Sequence, residues 1–208
     1  MSNLVPDHRG FCIPIRIGPK DRSDSGSRLG GRRPAGISPR HVTPLTQYFC
    51  TIRIAFDPVI EASLFISFDF DGMWDHAGSL QKPGPLYEVV VHEESVRSDD
   101  SEFISVLSSH SLLFETACED VFTDDNGDRI VRSDHKIGGY PFIQNIDEGL
   151  PAAVEAAYQT GYFQVLQIDF PGAKDGPVKG NWPFAGGIVH LLACEPLEEN
   201  SWLCFWEY

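Results

Sequence analysis

"YFQVLQIDF" at residues 162–170 decides how this chain is read, because it has an echo: "YFCTIRIAF" at 48–56. Tyr48 and Tyr162, Phe49 and Phe163, Ile54 and Ile168, and Phe56 and Phe170 are identical pairs, and Ile52 against Leu166 is a conservative one. Runs rich in aromatic and β-branched residues, bounded by turn residues such as "QKPGP" and "DFPGAKDGPVKGNWP", read as strands. Side chains two apart share a face of a strand. Tyr162, Gln164, Leu166, Ile168 and Phe170 are therefore expected on one face, and Phe163, Val165, Gln167 and Asp169 on the other. Neither face turns polar before the strand ends, which predicts cover on both sides.

The surroundings of the two nonapeptides match as well. A glycine pair and a proline precede each, in "RLGGRRP" (28–34) and "KIGGYP" (136–141). An apolar run follows each, "ASLFISFDF" (62–70) and "GGIVHLLAC" (186–194), and then a third, "LYEVVVHEE" (86–94) and "WLCFWEY" (202–208). The expected fold is α+β, mainly antiparallel sheets built from an internally duplicated β-rich unit, with few helices. The chain is expected to form a single compact domain over 1–208. Its pseudo-repeats, approximately 25–95 and 133–208, would be joined by an acidic, partly helical segment, 96–132. One helix is predicted over 147–161, with acids and a proline at its start and Gly161 as its stop, and a second in part of 98–120. Since the glycine pair recurs at the same place, it is read as a backbone requirement and not as a phosphate cradle.

The 208 residues can bury a sizeable core, and the apolar share of 42% and charged share of 22% are those of a globular protein. No run of about eighteen apolar residues is present, so no membrane span is predicted. "MSNLVPDHRGFCIPIRIGPK" has no basic region leading into an apolar stretch and a cleavage site, and a cytoplasmic location is expected. Five scattered cysteines without C-x-x-C (Cys12, Cys50, Cys118, Cys194 and Cys204) read as reduced thiols, with a Cys194–Cys204 disulfide as the weaker alternative. Charge is uneven. Residues 1–53 hold nine Arg and Lys against three Asp, a net of +6, which leaves −20 for residues 54–208 out of the total of −14. Residues 93–128 alone set eleven acids against Arg97. Such a balance disfavours nucleic acid and steers basic protein partners, or serves solvation alone.

"HKIGGYPFIQ" (135–144), then "YFQVLQIDF", a tryptophan–proline turn, "GGIVHLLAC" and the closing "WLCFWEY" resemble the YwqG-like family, a bacterial domain family of unknown function. The resemblance is clear over 133–208 and, through "SRLGGRRP" and "YFCTIRIAF", extends over 25–208. It implies an α+β fold with an internal duplication. It brings no catalytic residue and no cofactor. Members often sit among bacterial toxin and immunity genes, so it also implies an immunity or partner-binding role. The Arg-rich stretch 28–40 and the acidic segment 93–128 depart from the family's pattern.

Phosphate-loop, H-E-x-x-H and G-x-S-x-G patterns are absent, and "TDDNGDRIVRSDH" (123–135) puts Arg129 and His135 where a calcium loop needs glycine and glutamate. "DFDGMWDH" gathers Asp69, Asp71, Asp75 and His76, a set able to hold a metal or divide acid and base roles, or simply to form a polar turn. The four arginines of 28–40 could meet phosphates; pairing with the chain's own acids is the preferred reading. The expected function is therefore a non-enzymatic cytosolic protein that binds a protein partner, in one form an immunity protein that occludes a basic toxin. The acidic segment (Glu93, Glu94, Asp99, Asp100, Glu102, Asp124, Asp125 and Asp128) would be the binding surface. The alternatives are a small metal-dependent hydrolase or a small-ligand-binding module using the Asp69–His76 region.

Overall fold

Alternating and β-branched runs become strands almost throughout. In a computed structural model, which describes residues 10–20, 26–38, 46–56, 58–68, 73, 75–98, 105, 107–123, 126–127, 129–144, 149–170, 182–184 and 187–207, they are β1 (Phe11–Lys20), β2 (Arg28–Leu29), β3 (Thr46–Phe56), β4 (Val59–Ser67) and β5 (Tyr87–Glu93). Then come β6 (His110–Phe114), β7 (Cys118–Glu119), β8 (Val121–Thr123), β9 (Arg129–Val131) and β10 (Lys136–Gly138). The helix α1 (Gly149–Gln159), β11 (Phe163–Ile168), β12 (Val189–Ala193) and β13 (Trp202–Trp206) complete the order. The fold is mostly antiparallel sheet with one helix among the described residues, and that helix is too short to cross a membrane.

The main sheet runs β13-β12-β11-β10-β1-β6-β2-β3-β4-β5, with β7 also paired to β1; β8 and β9 form a separate ribbon. The order has the same form from both ends. A three-strand meander is followed by a short strand ending at a glycine pair, and then by a longer strand at the centre. The central strands lie across the chain order: β1 pairs β10, β6 pairs β2, and β1 and β6 pair each other. The two ends of the path nearly meet. Gln81 exchanges both backbone hydrogen bonds with Cys204 on the free side of β13, and Gly78 N–H donates to Trp206 O at 2.7 Å. This segment leads directly into β5, where Tyr87 Oη donates to Gln81 O at 2.9 Å and reaches Trp202 O at 3.4 Å. The sheet is thus a nearly closed barrel, which leaves little edge exposed.

The core fills this barrel. Phe49, Ile52, Ile54, Leu64 and Ile66 from β3 and β4 pack with Leu166, Ile168, Leu191, Trp202, Cys204 and Trp206 from β11 to β13. The outer faces are covered differently. Leu150, Val154, Ala157 and Tyr158 of α1 lie on Leu192, Leu203 and Phe205, whereas Ile37 packs with Tyr48 and Phe65 on the other half.

Three sequence expectations need correction. Residues 107–119 carry no helix: "HSLLF" forms β6 between β1 and β2, because strand partners on both sides outweigh the weak helix propensity of a serine-rich stretch. Residues 99–104 and 106, which the predicted helix also covered, lie outside the described residues. The strict alternation of "YFQVLQIDF" also fails. A bulge between Gln164 and Leu166 inserts a residue, so Val165 joins Leu166 and Ile168 in the core, while Gln164 and Gln167 share the polar side. Third, the nonapeptide match sets Ile54 against Ile168, but the ladders do not. Arg28–Thr51–Ser63–Val90 forms one row and Lys136–Gln167–His190–Phe205 the other, so Thr51 stands where Gln167 does. The frame shifts by two residues, which sets core Cys50 against core Leu166 instead of against Gln164 on the polar side.

The glycine pairs do geometric work. Gly30, Gly31, Gly138 and Gly139 all have positive φ, between 66° and 80°. A Cβ on Gly30 would run into the carbonyls of Leu107 and Ser108, and one on Gly139 into the carboxylate of Asp120.

Candidate binding groove

At the centre of the sheet, β1 continues past the end of β10. Ile15 N–H donates to His135 O at 2.7 Å, and among the described residues nothing pairs with β1 on that side beyond this bond. The other side stays paired to β6 through Ile15, Arg16 and Ile17. Successive residues of an antiparallel strand direct their backbone groups to opposite sides, so Ile17 N–H and C=O point the same way as those of Ile15. They face an open groove of about 520 Å³ lined by Pro14 to Ile17, Glu115, Arg132, Asp134, His135, Asp169 and Phe170.

Charge in the groove is mixed. Arg16 Nε lies 3.8 Å from Glu115 Oε1, and Arg132 Nη1 lies 3.5 Å from Asp134 Oδ2. Both pairs are solvent-exposed, so they hold the side chains loosely and contribute under about 1 kcal/mol each. His135 sits at the base. Its Nδ1 accepts from Asp169 N–H at 3.0 Å, which requires that nitrogen to be unprotonated. Burial lowers its pKa, against the opposing pull of Asp169 and Asp134.

Two rows of buried polar groups run across the outer faces of the two halves. In the first half, Tyr48 Oη, Thr51 Oγ1, Ser63 Oγ and His92 Nε2 form a chain with steps of 2.8, 2.7 and 2.8 Å. His92 Nδ1 donates to Glu93 O at 2.7 Å, which fixes the tautomer: Nε2 accepts from Ser63, Ser63 accepts from Thr51, and Thr51 accepts from Tyr48. Arg28, fully buried beside this chain, donates through Nη1 to Gly26 O at 2.9 Å, and burial raises the pKa of nearby Glu61. In the second half, Lys136 Nζ donates to Asp120 Oδ1 at 2.6 Å and to Arg132 O at 2.8 Å. Asp120 Oδ2 accepts Tyr140 N–H at 2.6 Å. The glycine loop therefore does bind a carboxylate, and it is the chain's own.

His92, His135 and His190 all have pKa values lowered from their ordinary 6.5, chiefly by burial. Below that value the unfolded chain binds protons that the folded chain refuses, so folding stability falls as pH drops through 6.5. Glu61 acts in the opposite sense, because its raised pKa lets the folded chain keep a proton above 4.5. Three groups oppose one. The urea midpoint is expected to drop between about pH 7.5 and about pH 5.5, and the drop to shrink in a His92→Gln/His190→Leu variant. A midpoint that holds or rises on acidification contradicts this.

The residues singled out in the sequence fall elsewhere. Asp75, in a helical turn with Met73, and His76, just after it, are exposed, while Asp69 and Asp71 lie outside the described residues. Among the described residues no three His, Cys, Asp or Glu side chains are arranged to hold a metal ion. Glu93 and Glu94 are exposed at the end of β5, with Glu94 paired to Arg53; Asp99, Asp100, Glu102, Asp124, Asp125 and Asp128 lie outside the described residues. The Arg-rich stretch does meet residues 95–98, but through backbone bonds such as Ala35 N–H to Val96 O at 2.7 Å and Ser98 N–H to Arg33 O at 2.8 Å. No family model matches the chain, and no curated protein does so either. Lys136, Asp120 and the groove were missed in the sequence, and Arg28 was read there only as one of the four arginines of 28–40. The available signal was a single cation at the same place before each glycine pair, in "RLGG" and "KIGG".

Proposed function

We propose that this chain is a non-enzymatic partner-binding protein that takes an extended segment of a basic protein along the side of β1 that no described residue pairs beyond Ile15. The observation that carries the reading is the Ile17 backbone turned toward the groove, a donor and an acceptor in position to extend the sheet by one strand. The chemistry of the partner follows from charge. The chain carries −14 overall, and with His135 held neutral, Glu115, Asp134 and Asp169 outnumber Arg16 and Arg132 in the groove. The sharper form, an immunity protein that neutralises a bacterial toxin by occlusion, rests on this acidity and on the resemblance to the YwqG-like family. The two halves are further read as copies of one duplicated unit with their first strands exchanged. The mirrored strand order supports this, as do equivalent bonds such as Ile15 N–H to His135 O and Leu112 N–H to Ser27 O.

The test is binding of the purified chain to the product of the neighbouring gene, followed by the Ile17→Pro variant. Proline removes an N–H that faces the groove and not β6, so the β1–β6 ladder should survive. Binding is expected to weaken about tenfold or more, with the unfolding midpoint of the free chain little changed. Raised salt is expected to slow association. A complex indifferent to Ile17→Pro, or no complex at all, would overturn the reading.

A further inference from the structure

Cys12 on β1 and Cys118 on β7 are direct cross-strand partners, with Sγ atoms 4.0 Å apart although 106 residues separate them in sequence. All five cysteines are free thiols. Partners in an antiparallel pair have Cα atoms about 4.5 or 5.5 Å apart, and both spacings lie within the roughly 4.4–6.8 Å that a disulfide spans. Side-chain rotation alone can therefore bring the sulfurs together. The surroundings divide the two roles. Cys118 is half-buried and open to a small oxidant, whereas Cys12 is fully buried, and burial and the nearby Asp120 carboxylate raise the pKa of its thiol. Cys50 and Cys204 are shielded inside the barrel.

We propose that Cys12 and Cys118 form a reversible intramolecular disulfide, a redox-modification site that pins β1 to β7. With hydrogen peroxide as oxidant, the Cys118 thiolate attacks one oxygen; an S–O bond forms, the O–O bond breaks, and hydroxide leaves to take up a proton as water. The Cys12 sulfur then attacks the Cys118 sulfenic acid. The S–S bond forms, the S–O bond breaks, and the Cys12 proton goes to the departing hydroxide. Two thiols and one peroxide give one disulfide and two waters. The cross-link closes a loop of 106 residues and fixes β1 two positions before Pro14, where the groove wall begins.

The experiment is mild peroxide treatment of the whole purified chain, with thiol titration, non-reducing peptide mapping and urea unfolding. Two of the five thiols are expected to disappear, a peptide joining Cys12 to Cys118 to appear, and the urea midpoint to rise, with all three changes reversed by dithiothreitol. Cys118→Ser, a substitution at a half-exposed position, should unfold at the midpoint of the reduced chain and keep Cys12 as a thiol under peroxide. Oxidation of Cys118 to sulfinic acid with Cys12 left free would overturn the proposal. So would a Cys118 link between two copies of the chain, or a cross-link to another cysteine.

Discussion

Lys136→Met is expected to lower folding stability by about 3–5 kcal/mol, the cost of leaving a buried carboxylate without its cation. Lys136 and Asp120 are both fully shielded from solvent, with Nζ 2.6 Å from Oδ1. Burial lowers the Lys136 pKa, and the hydrogen bond and charge of Asp120 act against that shift. The attraction within the pair therefore offsets a desolvation cost that either partner alone cannot meet. Removing only the cation exposes that cost in full. A Lys136→Met/Asp120→Asn double variant is expected to recover a good part of it, because asparagine has no charge to strand and its Oδ1 can still accept Tyr140 N–H. Urea unfolding of the wild type, both single variants and the double gives the coupling. A single-variant loss below about 1 kcal/mol, or strictly additive effects, would show that the pair does not hold this corner of the sheet.

The strands on either side of that pair were legible because their composition left few options. "YFCTIRIAF", "ASLFISFDF", "GGIVHLLAC" and "WLCFWEY" are too apolar and too β-branched for surface loops; β12 and β13 lie within the last two, and β3 and β4 overlap the first two. The helix at 149–159 was legible from its alanines and from Gly161. What did not show was anything set by partners distant in the chain. "HSLLF" looks helical until β1 and β2 are beside it. A bulge leaves no composition signal, so the faces of Val165 and Gln167 could not be read from period alone.

The groove was hidden for a related reason. It exists only because β10 begins at Lys136 while β1 runs on past it, and its walls come from residues 14–17, 115, 132, 134–135 and 169–170. No local pattern joins those positions. The same holds for Cys12 and Cys118, which no spacing rule connects. Clusters local in sequence drew attention instead, and Asp75 and His76 prove to be exposed surface residues. Residues dispersed along the chain but aligned in the ladder, such as Arg28 with Thr51 and Ser63, make up the buried polar rows. The chemistry of this fold lies across strands, and the sequence is read along them.

Trp206→Ala is expected to destabilise the chain by about 3–5 kcal/mol and, more tellingly, to open the barrel where its two ends meet. The ring is almost wholly buried, donates from Nε1 to Met73 O at 2.7 Å, and lies 5.8 Å from Phe184. Phe184 in turn packs edge-on against Phe49 of β3 at 5.1 Å. One side chain therefore ties β13 to the turn at Met73 and, through Phe184, to the opposite half. Its own backbone carbonyl accepts Gly78 N–H, the first bond of the closing segment. Truncation to alanine leaves a cavity that the surrounding rings fill only in part, and Met73 O loses its shorter hydrogen bond, keeping only His76 N–H at 3.4 Å. Trp206→Phe keeps most of the ring volume and loses chiefly the Met73 bond, so about 1–2 kcal/mol is expected for it. Hydrogen exchange separates closure from global loss. The amides of Gly78, Gln81 and Cys204 should exchange much faster in Trp206→Ala than in Trp206→Phe, with α1 changed far less. Equal protection of those three amides in both variants would mean that the barrel is closed by something other than this ring.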